Sequence, residues 1–318
     1  PAAIDKALYI KIKKKPGTRL YLHSVDFNEA VEIEISDIKP IPGHWSTYIF
    51  GVVDQFIQKG KVIPGFKLSI YGDVPLGAGL SSSAAVECAV AFALNELLQT
   101  GFSRKELALM AQAAEHQYAG VKCGIMDQFA SLFGKKDHVI RLDCRSLEYE
   151  YFPLELGQYA IVLFDTMVKH SLASSEYNIR RSQCEEGVMQ IRQSYPSVHS
   201  LRDATMEMVN ECIGEFETAH QRCKYVVEEI DRLQKGCKDL QAGDLIAFGK
   251  RMFATHDGLS KEYEVSCKEL DYLVNYVRNN PAVIGARMMG GGFGECTINI
   301  IAKEKVEEIL AKLSADYK

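Results

Sequence analysis

Several protein classes are argued against by what this sequence lacks. Its nine cysteines, Cys88, Cys123, Cys144, Cys184, Cys212, Cys223, Cys237, Cys267 and Cys296, include no C-x-x-C pair and no histidine pair at ligand spacing. That scatter argues against a zinc framework and predicts reduced thiols in a cytoplasmic setting. A basic surplus is missing too: the formal net charge is −5, whereas a nucleic-acid binder needs a basic face. The one basic cluster, Lys11, Lys13, Lys14 and Lys15, follows the alternation Leu8, Ile10, Ile12 and reads as the solvated face of a strand. The longest unbroken apolar stretch, Cys88–Leu94, is too short to cross a bilayer. The opening Pro1-Ala-Ala-Ile-Asp5 has neither the basic nor the long apolar start of a secretory signal. Neither nucleic acid nor membrane is an expected partner.

What is present is an ordinary globular balance, 47% hydrophobic and 25% charged over 318 residues, enough for about two domains. Strand-like stretches occur at Ala7–Ile12, Thr18–Ser24 and Ala30–Ile35, with Asn28 as a turn, then at Phe66–Tyr71, Val139–Leu142 and Tyr159–Phe164. Trp45–Gln58 has helical 3-4 spacing, and Ser83–Leu98 is apolar almost all round, as a buried helix is. Ser103 and Glu106 form a capping box for a helix to about Tyr118, stopped by Gly120. The later chain predicts helices at Ser175–Ser194, Glu217–Leu233, Asp244–Ala254 and Glu269–Asn279, the last with a second box from Ser266 to Glu269. A glycine turn, Gly290–Gly294, then leads into a strand Cys296–Ile301 and a helix Lys303–Leu313. Strands and helices alternate without regular βαβ spacing, which predicts α+β layers rather than a doubly wound sheet.

Three segments carry candidate chemistry. Gly72-Asp-Val-Pro-Leu-Gly-Ala-Gly-Leu-Ser-Ser-Ser-Ala84 lies between a strand and the buried helix. Gly77 and Gly79 permit a tight turn, and Ser81, Ser82 and Ser83 bring hydroxyls and bare amides to a helix start carrying about half a positive charge. Such a start suits a chain of phosphates. It is neither a Walker A loop, having no lysine after its glycines, nor a dinucleotide fingerprint, having Ser82 at the third glycine. On pattern alone it reads equally as a Gly/Ser turn with serine N-caps. Arg287-Met-Met-Gly-Gly-Gly-Phe-Gly-Glu-Cys-Thr297 is a second glycine turn, alone read equally as a packing bend; two such loops favour a shared nucleotide site. In Ala114–Phe129, Glu115 and Asp127 flank Gly120 and Gly124. Two carboxylates near a triphosphate suit Mg²⁺ and a hydroxyl proton, although a solvated helix glutamate and a capping aspartate are the commoner readings.

The segment 72–85 resembles the second motif of the GHMP kinase family, P-x-x-x-G-L-S-S-S-A, and 286–297 resembles the third. Cys123–Phe129 with Asp143-Cys-Arg-Ser-Leu147, His170-Ser-Leu-Ala-Ser-Ser-Glu-Tyr177 and Tyr263–Asp271 are similar to its galactokinase branch. Convergent loops account for one such match, but hardly for five. The resemblance implies an α+β, two-domain GHMP fold around a central cleft. Residues 1–157 would form an N-terminal domain with a mixed sheet, and 158–318 a helix-rich C-terminal one. It implies ATP-dependent phosphorylation of the galactose C1 hydroxyl. Gly77, Ala78, Gly79, Leu80, Ser81, Ser82 and Ser83 would wrap the ATP phosphates, with Trp45 and Tyr48 on the adenine side, although core packing also accounts for a lone tryptophan. Ser82 and Glu115 would hold Mg²⁺. Gly124, Asp127, Tyr177 and Gly291 would meet the sugar or the transferred phosphate, with Asp127 as base. The implied cofactors are ATP and Mg²⁺, and the implied state is a monomer.

Four departures from that pattern stand out. The branch's first motif, G-R-V-N-L-I-G-E-H-T-D-Y, which carries an arginine and sugar-gripping side chains, is not in the sequence, nor is a further strand after Lys318. The expectation is that the chain as it stands does not phosphorylate galactose, while keeping weak nucleotide binding. Glu295 occupies a usual glycine position, and Lys169 a position where some relatives have arginine, which loses bidentate geometry. The alternatives are a GHMP kinase for N-acetylgalactosamine or arabinose, and a non-catalytic sensor of sugar and ATP; the intact Asp127 and Ser81–Ser83 argue against the sensor.

Overall fold

The computed structural model describes residues 1–75, 79–168 and 173–317, the side chains of 173–175 excepted. The chain divides into two compact units, Pro1–Phe152 and Pro153–Lys318.

In the first unit the alternating stretches pair as a mixed four-stranded sheet. Strands β1 (Leu8–Lys14), β2 (Arg19–Ser24), β3 (Glu29–Glu34) and β4 (Phe66–Gly72) lie in the order β1-β4-β2-β3. β4 runs antiparallel to β1 and parallel to β2, and β2 pairs with β3 as a hairpin. Asn28 takes the left-handed conformation, φ 48°, in the turn before β3, which asparagine tolerates better than most residues. Alternation leaves Leu20, Leu22, Phe66, Leu68 and Ile70 on the buried face. Against them pack Ile49, Phe50, Val53 and Phe56 of α1 (Ser46–Gln58), with Val90 and Leu94 of α2 (Ser82–Leu98) and Leu107 and Met110 of α3 (Arg104–Ala114).

The Ser103–Glu106 capping box forms as its spacing predicts. Beyond Ala114 the helix widens into a π turn, Glu115–Ala119, and stops at Gly120, whose φ of 74° suits a residue without Cβ. A short helix α4 (Met126–Phe133) and the two-stranded sheet of β5 (His138–Leu142) and β6 (Tyr149–Pro153) complete the unit.

The second unit is helix-rich. Its antiparallel sheet has the order β7-β9-β8, from β7 (Tyr159–Asp165), β8 (Val283–Met288) and β9 (Cys296–Ala302). The helices are α5 (Ala173–Ser194), α6 (Met206–Cys212), α7 (Thr218–Gln241), α8 (Leu245–Lys261), α9 (Lys268–Arg278) and α10 (Val306–Asp316). Helix α8 lies so close on β8 that a Cβ on Gly249 would sit 2.0 Å from the Ile284 carbonyl oxygen. Phe164, Leu273, Val274, Val277, Val283 and Ile301 form the core beside the sheet.

The mixed first sheet and helical second half match the expected α+β organisation. One local expectation fails: α9 starts at Lys268 with no side-chain cap, and Ser266 donates instead to Asp271 Oδ1 at 2.6 Å. A capping box would need the Ser266 oxygen to accept an N3 amide, whereas here the hydroxyl is turned to donate to a carboxylate. No helix among the described residues is long and apolar enough to cross a membrane.

Candidate active site

The start of α2 is built by backbone conformation rather than by capping. Gly79 and Ser81 both have left-handed φ, 69° and 53°, and Ser81 makes no side-chain cap bond. The serine-cap reading of this loop is therefore not realised at Ser81. Ser82 is the first helical residue, and helix geometry leaves the first-turn N–H groups without intrahelical acceptors. Leu80 precedes this turn; Gly77 and Ala78 lie outside the described residues, as does Lys169.

Within the same unit a buried carboxylate meets this helix start. Ser83 Oγ donates to Glu115 Oε1 at 3.0 Å. The other oxygen, Oε2, accepts from Gln128 Nε2 at 2.8 Å and from the Cys123 thiol at 3.3 Å. Burial first, and then Glu115, pushes the Cys123 thiol up to about 12, so it stays a donor. The backbone of Cys123 is held in turn: its carbonyl accepts from Gln112 Nε2 and His116 Nε2 at 3.1 and 2.8 Å. Cys88 Sγ reaches the Gln128 carbonyl at 3.6 Å, tying α2 to α4.

Asp127 stands in the first turn of α4, half-buried. Among the described residues none hydrogen-bonds its carboxylate. Gly124, three residues earlier, has open space where a Cβ would be. Glu87 lies one turn beyond Ser83 on α2, fully buried, and neither carboxylate oxygen has a hydrogen bond of ordinary geometry. Burial first and the neighbouring Glu115 second raise its carboxyl to about 10, so at neutral pH it is an uncharged acid. Tyr48 is half-buried, its hydroxyl raised by burial and then by Glu115 and Glu87. Trp45 precedes α1, packs at the rim of the sheet core, and donates Nε1–H to Glu29 Oε2 at 2.8 Å.

The second unit holds the other predicted residues. The turn 290–295 has positive φ at Gly290, Gly292, Phe293, Gly294 and Glu295. Two of its glycines are required by close approach. A Cβ on Gly292 would lie 2.1 Å from the Val265 carbonyl oxygen, and one on Gly294 would lie 2.5 Å from that of Val168. Gly291 is open to space. Glu295, at φ 66°, shows why glycine suits that place; its carbonyl accepts from the Thr166 amide and hydroxyl at 2.9 and 2.7 Å. Tyr177 is exposed near the start of α5.

Ser83, Glu115 and the Asp127–Gln128 segment thus come together, whereas Ser82 is not bonded to Glu115. Glu87 and Gln128 were not singled out from sequence. A glutamate inside an otherwise apolar helix was the available signal for the first; for the second there was only its place beside Asp127.

A family profile described as GHMP kinases N terminal domain matches residues 47–135, and one described as GHMP kinases C terminal matches 237–318. The chain is 41% identical over 318 residues to galactokinase of Thermotoga petrophila, covering all of this chain and 87% of that protein. The chain belongs to the galactokinases of the GHMP kinase family.

A galactokinase of Clostridium acetobutylicum is 36% identical over an alignment covering all of this chain and 83% of that protein. Among solved structures, Lactococcus lactis galactokinase complexed with galactose superposes with a TM-score of 0.93 at 33% identity, covering 99% of this chain and 83% of that one. A mevalonate kinase, at TM-score 0.65 and 19% identity, shares the GHMP fold. As a galactokinase-family member the chain is a phosphotransferase that draws on ATP.

Proposed function

We propose that this protein transfers the γ-phosphoryl group of ATP to the C1 hydroxyl of galactose, yielding ADP and galactose 1-phosphate. The observation that carries the reading is the cluster of Ser83, Glu115 and Gln128 at a helix start with bare amides, beside the unbonded carboxylate of Asp127. It is supported by a 33% identical galactokinase whose structure contains galactose.

The amides and hydroxyls of 79–83 bind the triphosphate, with Gly77 and Ala78 assigned to it by the family resemblance. Tyr48 and Trp45 face the adenine side. The sugar is oriented by Gly124, Asp127 and Tyr177, and Gly291 borders the transferred phosphate. The sugar O1 attacks the γ-phosphorus, the bond to the β–γ bridging oxygen breaks, and the O1 proton passes to Asp127. A general base contributes about 10²–10⁴-fold; the larger share comes from positioning and charge neutralisation.

The donor set fits Mg²⁺, which takes oxygen ligands from one or two carboxylates plus substrate phosphates. No group of three His, Cys, Asp or Glu side chains among the described residues forms an all-protein cage. Glu115 would hold the ion with the Ser82 hydroxyl. An ion held there would supply charge neutralisation for the triphosphate. The proposed domains are 1–157, with the nucleotide loop and the base, and 158–318, with Tyr177 and the third motif. The proposed state is a monomer, on the family resemblance. Nine free thiols suit a cytoplasmic setting.

The test is ADP release by the full-length protein over galactose, N-acetylgalactosamine and arabinose, with Asp127→Asn alongside. Turnover should be specific to galactose and fall by about 10²–10⁴-fold in the variant, with ATP affinity by calorimetry nearly unchanged. Near-normal turnover in Asp127→Asn removes the base assignment, and absence of any sugar-dependent ADP release removes the function.

A further inference from the structure

The segment Tyr263–Asp271 matches the galactokinase branch, yet none of its residues enters the chemistry above. Its contacts give it a different use. The Val265 carbonyl accepts the Phe293 amide at 2.8 Å and lies where a Cβ on Gly292 would be. Val265, Tyr263 and Phe293 share one apolar cluster with Met288. The glycine turn is therefore seated on the chain at 263–265.

That seat is itself held from α5. Arg180 donates Nε–H to the Tyr263 carbonyl at 2.8 Å and Nη2–H to the Glu264 carbonyl at 2.9 Å, with Glu176 Oε2 at 3.6 Å from Nη1. Its side chain is only 11% exposed, and hydrogen bonds from a charged donor are stronger than neutral ones. Arg222 of α7 holds the Glu262 carbonyl and the Glu264 carboxylate beside them. Glu264 sits at φ 53°, an unfavourable region for a non-glycine residue, which surrounding bonds must maintain. Arg180 follows Tyr177 by three residues, on the same face of the helix. Tyr177 also contributes, after burial and Cys184, to raising the Tyr263 hydroxyl, so the two tyrosines are near one another.

We propose that Arg180 is a positioning residue for the phosphoryl transfer: by clamping the Tyr263 and Glu264 carbonyls it fixes the Val265 carbonyl, and through it the Gly292–Phe293 end of the glycine turn, against the helix that carries Tyr177. A planar guanidinium reaches two successive carbonyls at once, which an ammonium on a flexible stem does not. The device keeps the group next to the transferred phosphate in register with the group on the hexose. The inference rests on the roles given above to Tyr177 and the glycine turn.

Two readouts test it in the full-length protein. The first is steady-state kinetics of Arg180→Gln, Arg180→Lys, Gly292→Ala and the double variant Arg180→Gln/Gly292→Ala. Arg180→Gln should lower kcat about tenfold, the effect of about 1.4 kcal/mol, and raise KM for galactose while leaving KM for ATP within about twofold. Arg180→Lys should recover only a minor part of the loss. Because both substitutions act through Val265, the double variant should be no worse than its poorer parent. The second readout is hydrogen exchange at the Phe293 amide, which should quicken in Arg180→Gln by more than the amides of β9 do. Unchanged kcat and galactose KM in an active background, fully multiplicative losses in the double variant, or an unmoved Phe293 amide overturns the proposal. If the parent protein releases no ADP with any hexose while the Phe293 amide still responds, the clamp stands and the assignment of function falls instead.

Discussion

The side-chain amide of Gln128 donates to Glu115 Oε2 at 2.8 Å from the residue that follows Asp127. One peptide unit thus joins the proposed base to the support of the proposed metal carboxylate. Neither group shifts without disturbing the other.

Gln128→Leu removes that donor and leaves Glu115 Oε2 with only the Cys123 thiol. The charge-assisted bond is worth about 1.5–3 kcal/mol, so a loss of kcat/KM of about 10–100-fold is expected, accompanied by a higher Mg²⁺ requirement. Rates measured across a magnesium titration check this; an unchanged magnesium dependence would separate Gln128 from the metal carboxylate.

Glu87 links stability to pH. Its carboxyl is raised from an ordinary 4.5 to about 10 in the fold, so between those values the folded state holds a proton that the unfolded state has lost. The stabilisation is full below about 4.5 and is lost as pH rises through about 10, with a slope of about 1.4 kcal/mol per pH unit. Glu87→Gln keeps the shape and removes the proton linkage. Its melting temperature should exceed that of the parent increasingly from pH 6 to 9, and parallel curves would show that Glu87 is ionised in the fold.

Much of this was legible beforehand, for identifiable reasons. The sheet strands alternate, α1 and α2 have clear periodicity, and the Ser103 box carries its own chemistry, so local sequence and structure agree. β8 carries little strand signal because Val283–Met288 includes Gly285, whose lack of Cβ serves α8 rather than the strand: a Cβ there would lie 2.6 Å from Gly249 Cα. α4 is short and begins at a loop rather than at a cap, so its Asp127 was placed in the chain but not on a helix. The Glu115 partnership with Ser83 spans 32 residues, and no local pattern reports such a pairing.

Gly249→Ala tests that close approach. With a Cβ 2.0 Å from the Ile284 oxygen, backbone must move, and overpacking costs about 1–3 kcal/mol or more. Chemical denaturation should show the loss, and a change below about 0.5 kcal/mol would mean that α8 slides freely over β8.

The sole tryptophan, Trp45, offers a direct probe of the proposed adenine side. Addition of ATP should shift or quench its emission, while galactose alone should not. In Trp45→Phe, ATP affinity should weaken by several-fold at most, since the phosphates supply most of the binding. No change in emission at saturating ATP would remove Trp45 from the nucleotide site and leave it a rim residue bonded to Glu29.

The π turn at Glu115–Ala119 constrains evolution in an unusual way. A wide turn accommodates an additional residue without lengthening the rest of the helix, and such bulges recur at functional sites. Most positions along 104–119 can drift in identity so long as the buried stripe stays apolar. The number of residues cannot drift: deleting one would rewind the turn to ordinary α geometry and rotate what lies beyond by about 100°. Glu115 would then part from the loop through Cys123 and Gln128 that now closes over it. Natural relatives that keep this chemistry should therefore vary in spelling here, but not in length.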